Sequence, residues 1–112
     1  IRVKSIIGRF LEHSRIYYFH NAGEPKLYIG SADAMVRSFD RRIESLFMLE
    51  DDFLKKQAIN NLHYNLKDNV NAYVMNEDGT YKVKELNGEQ PFNIHKEFFR
   101  VTREKVAQAK LF

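Results

Sequence analysis

The sequence predicts a small α/β domain, and three observations predict it. Short β-prone runs bounded by Gly, Asn and Asp crowd the first half, at Ile1–Ile7, Ser14–Phe19 and Lys26–Ile29. Apolar residues recur at helical spacing after Asp51 and again after Asn93. An Asp78-Gly79 dipeptide separates two further β-prone runs. The strands of the first half are expected to form one mixed sheet covered by helices at Asp51–Leu66 and Ile94–Lys110, a sandwich with a C-terminal β-hairpin and helix.

Composition bounds the rest. A chain of 112 residues with 44% hydrophobic content supports one domain with a real core, and nine Phe with six Tyr make that core rich in rings. Zero cysteines agree with a reducing compartment. No apolar run reaches the length of a membrane span and no signal peptide opens the chain, so a soluble cytosolic protein is expected. The chain starts inside a strand-like run with no Met, which suggests an excised fragment. The net charge of +3 is modest, but its placement is uneven. Ile1 to Arg42 holds eight basic residues against four acidic ones, or +4, and the remainder stands at −1. The positive field therefore sits in the first half, where an anionic substrate would use it.

In chain order, Gly8 ends the first strand and Arg9–Glu12 carries His13 into the second. The Gly- and Pro-containing stretch Asn21–Pro25 makes Arg15–Phe19 and Lys26–Ile29 a hairpin with a longer loop. Arg41–Leu49 has an ambiguous period and reads as a strand leading into a helix. Glu50-Asp51-Asp52 favours a helix start, and Phe53, Leu54, Ala58, Ile59, Leu62 and Leu66 supply its apolar stripe. The runs Asn71–Met75 and Thr80–Lys84 flank Glu77-Asp78-Gly79 as a hairpin that reads as a peripheral addition. Asn93 is a candidate cap for the last helix.

Two signals carry chemistry. His13 and Arg15, two apart before an apolar strand, project from one face if the chain is extended there. The turn Gly30-Ser31-Ala32-Asp33, seventeen residues beyond His13, offers backbone N–H and hydroxyl groups that can cradle an anion. Together they suggest a phosphate site. Arginine suits it, because the planar fork holds two phosphate oxygens. Arg9, Arg15, Arg37, Arg41 and Arg42 are the available forks, with Arg15 and Arg37 best placed. Arg41 and Arg42 fall on opposite faces of a strand, so one of them is structural. Asp33 is positioned in sequence to orient His13 or an arginine. Each residue also has a plain reading. A lone His13 is commonly a strand-edge residue satisfied by a carbonyl, Gly30-Ser31 alone is an ordinary turn, and the arginines can pair with Glu12, Asp40 or Glu44. Tyr17, Tyr18 and Tyr28 read first as strand-face aromatics. His20, His63 and His95 lack the spacing of a metal site, and no metal ligands are assigned.

The run Ser5–Tyr17, with Gly8-Arg9-Phe10-Leu11-Glu12-His13, followed by Tyr28–Met35 and Asp40-Arg41-Arg42-Ile43-Glu44, resembles polyphosphate kinase of the bacterial, histidine-phosphorylating type. It is similar to that family's C-terminal catalytic domain over roughly the first forty-five residues, and beyond them in the order of elements. The resemblance implies a phospholipase D-like fold, of which His13-x-Arg15 and Gly30-Ser31-Ala32-Asp33 would be a worn motif pair. Two departures stand out: Ala34 replaces the usual Trp, and Met35-Val36-Arg37-Ser38 replaces Met-Pro-Arg-Asn.

The resemblance also implies an activity, the reversible transfer of the terminal phosphate of ATP to inorganic polyphosphate through a phosphohistidine outside this stretch. His13 would be catalytic, stabilising charge on the transferring group, and His13, Arg15, Ser31, Asp33, Arg37 and Arg41 would bind ATP and polyphosphate. Magnesium ligands and the adenine site would lie elsewhere, so the fragment alone would not turn over. The implied partners are ATP, polyphosphate, the remaining domains of the same polypeptide and further copies of it, with no nucleic acid. The implied location is cytoplasmic, with peripheral association at the inner membrane open. Two other classes fit the residues. A phospholipase D-like phosphodiesterase or nuclease would use His13 as nucleophile, although Arg15, His20 and Asp33 replace that superfamily's Lys, Asp and Asn. A non-catalytic polyanion-binding module would need its basic and aromatic residues on one surface.

Overall fold

The computed structural model describes residues 1–9, 13, 15–31 and 45–109. Two compact units divide it: Ile1–Leu11 with Asn61–Arg103, and Glu12–Asn60 with Glu104–Phe112. The long helix α1, Asp52–Lys67, contributes to both. Its start follows from charge and capping. Asp51 Oδ1 accepts from Leu54 N at 3.0 Å, Asp52 lies in the first turn and Lys67 in the last.

In the first unit, β1 (Lys4–Ile6), β5 (Ala72–Met75) and β6 (Tyr81–Val83) form an antiparallel sheet in the order β1-β5-β6. Lys4 pairs with Val74 and Ile6 with Ala72, while Tyr73 pairs with Val83. The β5–β6 turn is the expected one at Asp78-Gly79. Asp78 Oδ1 accepts from Thr80 N at 3.0 Å and from Thr80 Oγ1 at 2.6 Å, and Gly79 takes a φ of 85°.

The junction of α1, β5 and the next helix, α2 (Ile94–Glu97), is polar and buried. Asp68 has no exposed surface, yet four donors meet its carboxylate: Val70 N and Asn71 N at Oδ1, Ile94 N and Asn71 Nδ2 at Oδ2. Burial pushes this carboxyl up, but the hydrogen bonds from Ile94, Asn71 and Val70 outweigh it and hold it below the ordinary aspartate value. Asn69 clasps the loop before α2, accepting from Phe92 N at 2.7 Å and donating to Gln90 O at 3.0 Å. Lys4 Nζ donates to Asn65 O and Leu66 O at 2.9 and 2.7 Å, capping the last turn of α1. The apolar part of this unit gathers Tyr64 with Phe92 edge-on at 5.2 Å and Phe98 stacked at 5.5 Å, beside buried Ala72 and Ile94.

The second unit has β2 (Ile16–Phe19), β3 (Lys26–Gly30) and β4 (Leu46–Met48) in an antiparallel sheet with β3 in the centre. Among the described residues, Leu27, Ala58, Ile59 and Val106 are its buried apolar ones. Lys56 Nζ donates at 3.1 Å to Ala107 O at the end of α3, Arg103–Ala107.

Three sequence expectations are corrected. The strands of the first half do not form one mixed sheet. Among the described residues there are two three-stranded sheets, both antiparallel, because β1 pairs with β5 and not with β2. The hairpin at 71–84 is not peripheral, since β5 is the central strand of its sheet and Ala72 is buried. The helix over 94–110 is interrupted. Asn93 caps α2 as expected, but a 3₁₀ turn at Phe98–Arg100 and extended Val101 (φ −69°, ψ 129°) separate α2 from α3. Adjacent β-branched Val101 and Thr102 disfavour continuous helix.

Candidate phosphate site at the end of the β2–β3–β4 sheet

The hairpin brings the two sequence signals to one end of a sheet. A short turn at Asn21–Gly23 reverses the chain, with Gly23 N donating to His20 O and Asn21 Nδ2 donating to Glu24 O. That turn fixes the register, in which Phe19 pairs with Lys26 and Ile16 with Ile29. Arg15 directly precedes Ile16 and Gly30 directly follows Ile29, so both stand at this end of the hairpin.

Gly30 is required by its neighbour strand. It pairs with Leu46, and a Cβ at Gly30 would strike the carbonyl oxygen of Ser45 and the Cα of Leu46. Immediately after it, Ser31 N donates to Ser45 O at 3.0 Å and Ser45 N donates to Ser31 Oγ at 3.1 Å. The Ser31 N–H thus extends the β3–β4 pairing, and the expected cradle loses that backbone donor. Ser45 is the residue that sequence reasoning missed; only the glycine inside a β-prone run hinted at a strand passing so close.

His13 is exposed and Arg15 half-buried. Arg15 Nη1 donates at 3.1 Å to His13 O, tying the guanidinium to the histidine's own backbone. Ser31 is exposed at the same sheet end. Asp33, Arg37 and Arg41, together with Ala34, Val36 and Arg42, lie outside the described residues. Arg9 is exposed and belongs to the other unit.

No group of three or more His, Asp or Glu residues that could hold a metal ion occurs among the described residues. No helix among them is long and apolar enough to cross a membrane.

The profile of polyphosphate kinase C-terminal domain 2 matches residues 1–95, which takes in β1 through the start of α2. The chain belongs to the polyphosphate kinase C-terminal domain family. Polyphosphate kinase 1 of Chlorobaculum tepidum is 52% identical over 81 residues, covering 72% of this chain and 12% of that protein. Polyphosphate kinase of Pseudomonas aeruginosa is 49% identical over 90 residues, covering 80% of this chain and 13% of that protein. The crystal structure of polyphosphate kinase from Porphyromonas gingivalis superposes with a TM-score of 0.85 at 32% identity, over 95% of this chain and 16% of that one. The chain thus spans about an eighth of the length of these curated relatives. The family likeness reaches well past the first forty-five residues on which the motifs sit.

Proposed function

We propose that this chain is the C-terminal, phospholipase D-like domain of a polyphosphate kinase, an enzyme that reversibly transfers the terminal phosphate of ATP to inorganic polyphosphate through a phosphohistidine outside these residues. The observation that supports the reading is the β2–β3 register, which ends at Ile16 and Ile29 and so brings the chain neighbours Arg15 and Gly30 to one end of the hairpin in a chain of this family. Phosphoryl transfer asks mainly for charge neutralisation and in-line positioning. His13 supplies a hydrogen-bond donor and, when protonated, a charge at the transferring phosphoryl group or leaving oxygen. Arg15 holds phosphate oxygens, and Ser31 offers its hydroxyl. Asp33, Arg37 and Arg41 complete the set.

The rest of the enzyme lies in the same longer polypeptide, which supplies the phosphohistidine, the adenine site and the magnesium ligands. That polypeptide is cytoplasmic, can associate peripherally with the inner membrane, and works as a homo-oligomer. This chain alone does not turn over.

The test is binding of fluorescent polyphosphate to the chain and to His13→Ala and Arg15→Ala, across a salt series, with phosphodiester turnover assayed on the same samples. Binding weakened in both variants without turnover is the expected result. Unchanged binding in both, or hydrolysis of a phosphodiester by the chain alone, would overturn the assignment.

A further inference from the structure

Among the described residues of the first unit, Nε2 of His95 is buried and has no hydrogen-bond partner. Its ring lies over the backbone of Gly8, where a Cβ would come within 2.7 Å of Cε1 and closer still to Nε2. Both sides of this contact are held from behind. Ile7 N donates to Asn71 O at 3.1 Å, which carries the β1–β5 pairing up to Gly8. Asn71 Nδ2 donates to Asn93 Oδ1 at 2.9 Å, and the same oxygen accepts from His95 N at 3.1 Å. Ile94 is buried, with its N–H on Asp68 Oδ2 at 2.9 Å. Asn71 thus ties the end of β1 to the start of α2, and the imidazole rests on Gly8 from a fixed base.

A buried polar atom left unpaired costs free energy, and a side chain that only fills space would be apolar there. A phenyl ring would fill the same place without that cost. Gly8 has no side chain, so what it presents to Nε2 is main chain. Hydrogen bonds that stand open without substrate commonly close in the working complex. Five residues beyond Gly8 comes His13. Resting on the reading that His13 works at the transferring phosphate, we infer that His95 is a positioning residue: its Nε2 engages the main chain at Gly8-Arg9 and fixes where the chain leaves β1 on its way to His13.

The test uses the full-length polypeptide, with kcat and KM for ATP-dependent polyphosphate synthesis and the urea midpoint measured on each variant. His95→Phe keeps a ring and removes the nitrogen, whereas His95→Gln keeps a polar atom at similar reach. Misplacing a group that acts in the transition state lowers kcat and spares KM. His95→Phe should therefore lose about tenfold or more in kcat with KM within about twofold, at a urea midpoint equal to the parent's or higher. His95→Gln should recover kcat to within about threefold of the parent. A methyl at Gly8 meets the far end of the His95 side chain, so Gly8→Ala displaces the ring and should lose kcat as His95→Phe does. Unchanged kcat in either His95→Phe or Gly8→Ala overturns the inference. Failure of His95→Gln to recover kcat marks a packing role and overturns it too. No synthesis by the parent would overturn the kinase reading and this one with it, whereas synthesis that His95→Phe leaves at the parent's rate overturns this one alone.

Discussion

The guanidinium of Arg15 donates to the carbonyl oxygen of His13 across 3.1 Å, so the cation is anchored to the backbone of the histidine it is proposed to work with. Two consequences follow for Arg15→Ala. Loss of a charge-assisted contact of ~1.5–3 kcal/mol should weaken polyphosphate binding by roughly 10- to 100-fold. The slope of log affinity against log salt should also shrink by about one, as for any single phosphate contact. Arg15→Lys should restore the slope but only part of the affinity, because an ammonium lacks the fork. Titration at several salt concentrations measures both, and an unchanged slope in Arg15→Ala would take Arg15 out of the site.

Gly30→Ala should destabilise the chain by ~1–3 kcal/mol through overpacking. Its new methyl meets backbone, the Ser45 carbonyl oxygen and Leu46 Cα, so no side-chain rotation relieves it. The Ser31–Ser45 pair should open with the strands, carrying the proposed site with it. A lowered urea midpoint together with weaker polyphosphate binding is the expected outcome. An unaltered midpoint would mean that β3 and β4 separate without cost.

Local elements were legible in the sequence to the extent that their signals were local. The Asp78-Gly79 turn, the start of α1 and the Asn93 cap depend on residues within a few positions of each other, and all three stand where the sequence placed them. Sheet membership was not legible. The partner of β1 is β5, almost seventy residues away, and nothing in Lys4–Ile6 distinguishes that partner from β2. Near the proposed site the hairpin itself was readable, and its register ends at Ile16 and Ile29, the chain neighbours of Arg15 and Gly30. The engagement of Ser31 with Ser45 was hidden, because it depends on which strand passes β3. The role of Asp68 was equally hidden, since a lone aspartate after a helix looks like an exposed one.

Asp68→Asn tests that buried junction. Both carboxylate oxygens accept from two donors each, so the amide nitrogen of asparagine would face N–H groups wherever it points. Leaving buried donors unpaired costs ~1–3 kcal/mol apiece, and the substitution should lower stability by about 2–4 kcal/mol. Urea unfolding of the variant checks this. A loss below ~0.5 kcal/mol would show that the four hydrogen bonds are not made together.

Stability should fall in two stages on acidification. Burial and, second to it, nearby Lys67 depress the proton affinity of His63, so the folded chain holds that ring neutral more firmly than the unfolded chain does. Its contribution is present above the ordinary histidine value of about 6.5 and declines as pH falls through the lower folded value. The carboxyl of Asp68 is also depressed, and its contribution is present above the ordinary aspartate value of about 3.9 and lost as pH falls through the folded one. Asp78, held down by its hydrogen bonds from Thr80, acts in the same direction near the surface. Urea midpoints measured from pH 8 to pH 3 should therefore decline first below about 6.5 and again below about 4. His63→Gln should remove the first decline and keep the second, because glutamine does not titrate. A His63→Gln profile that overlays the parent would assign the first stage to another group.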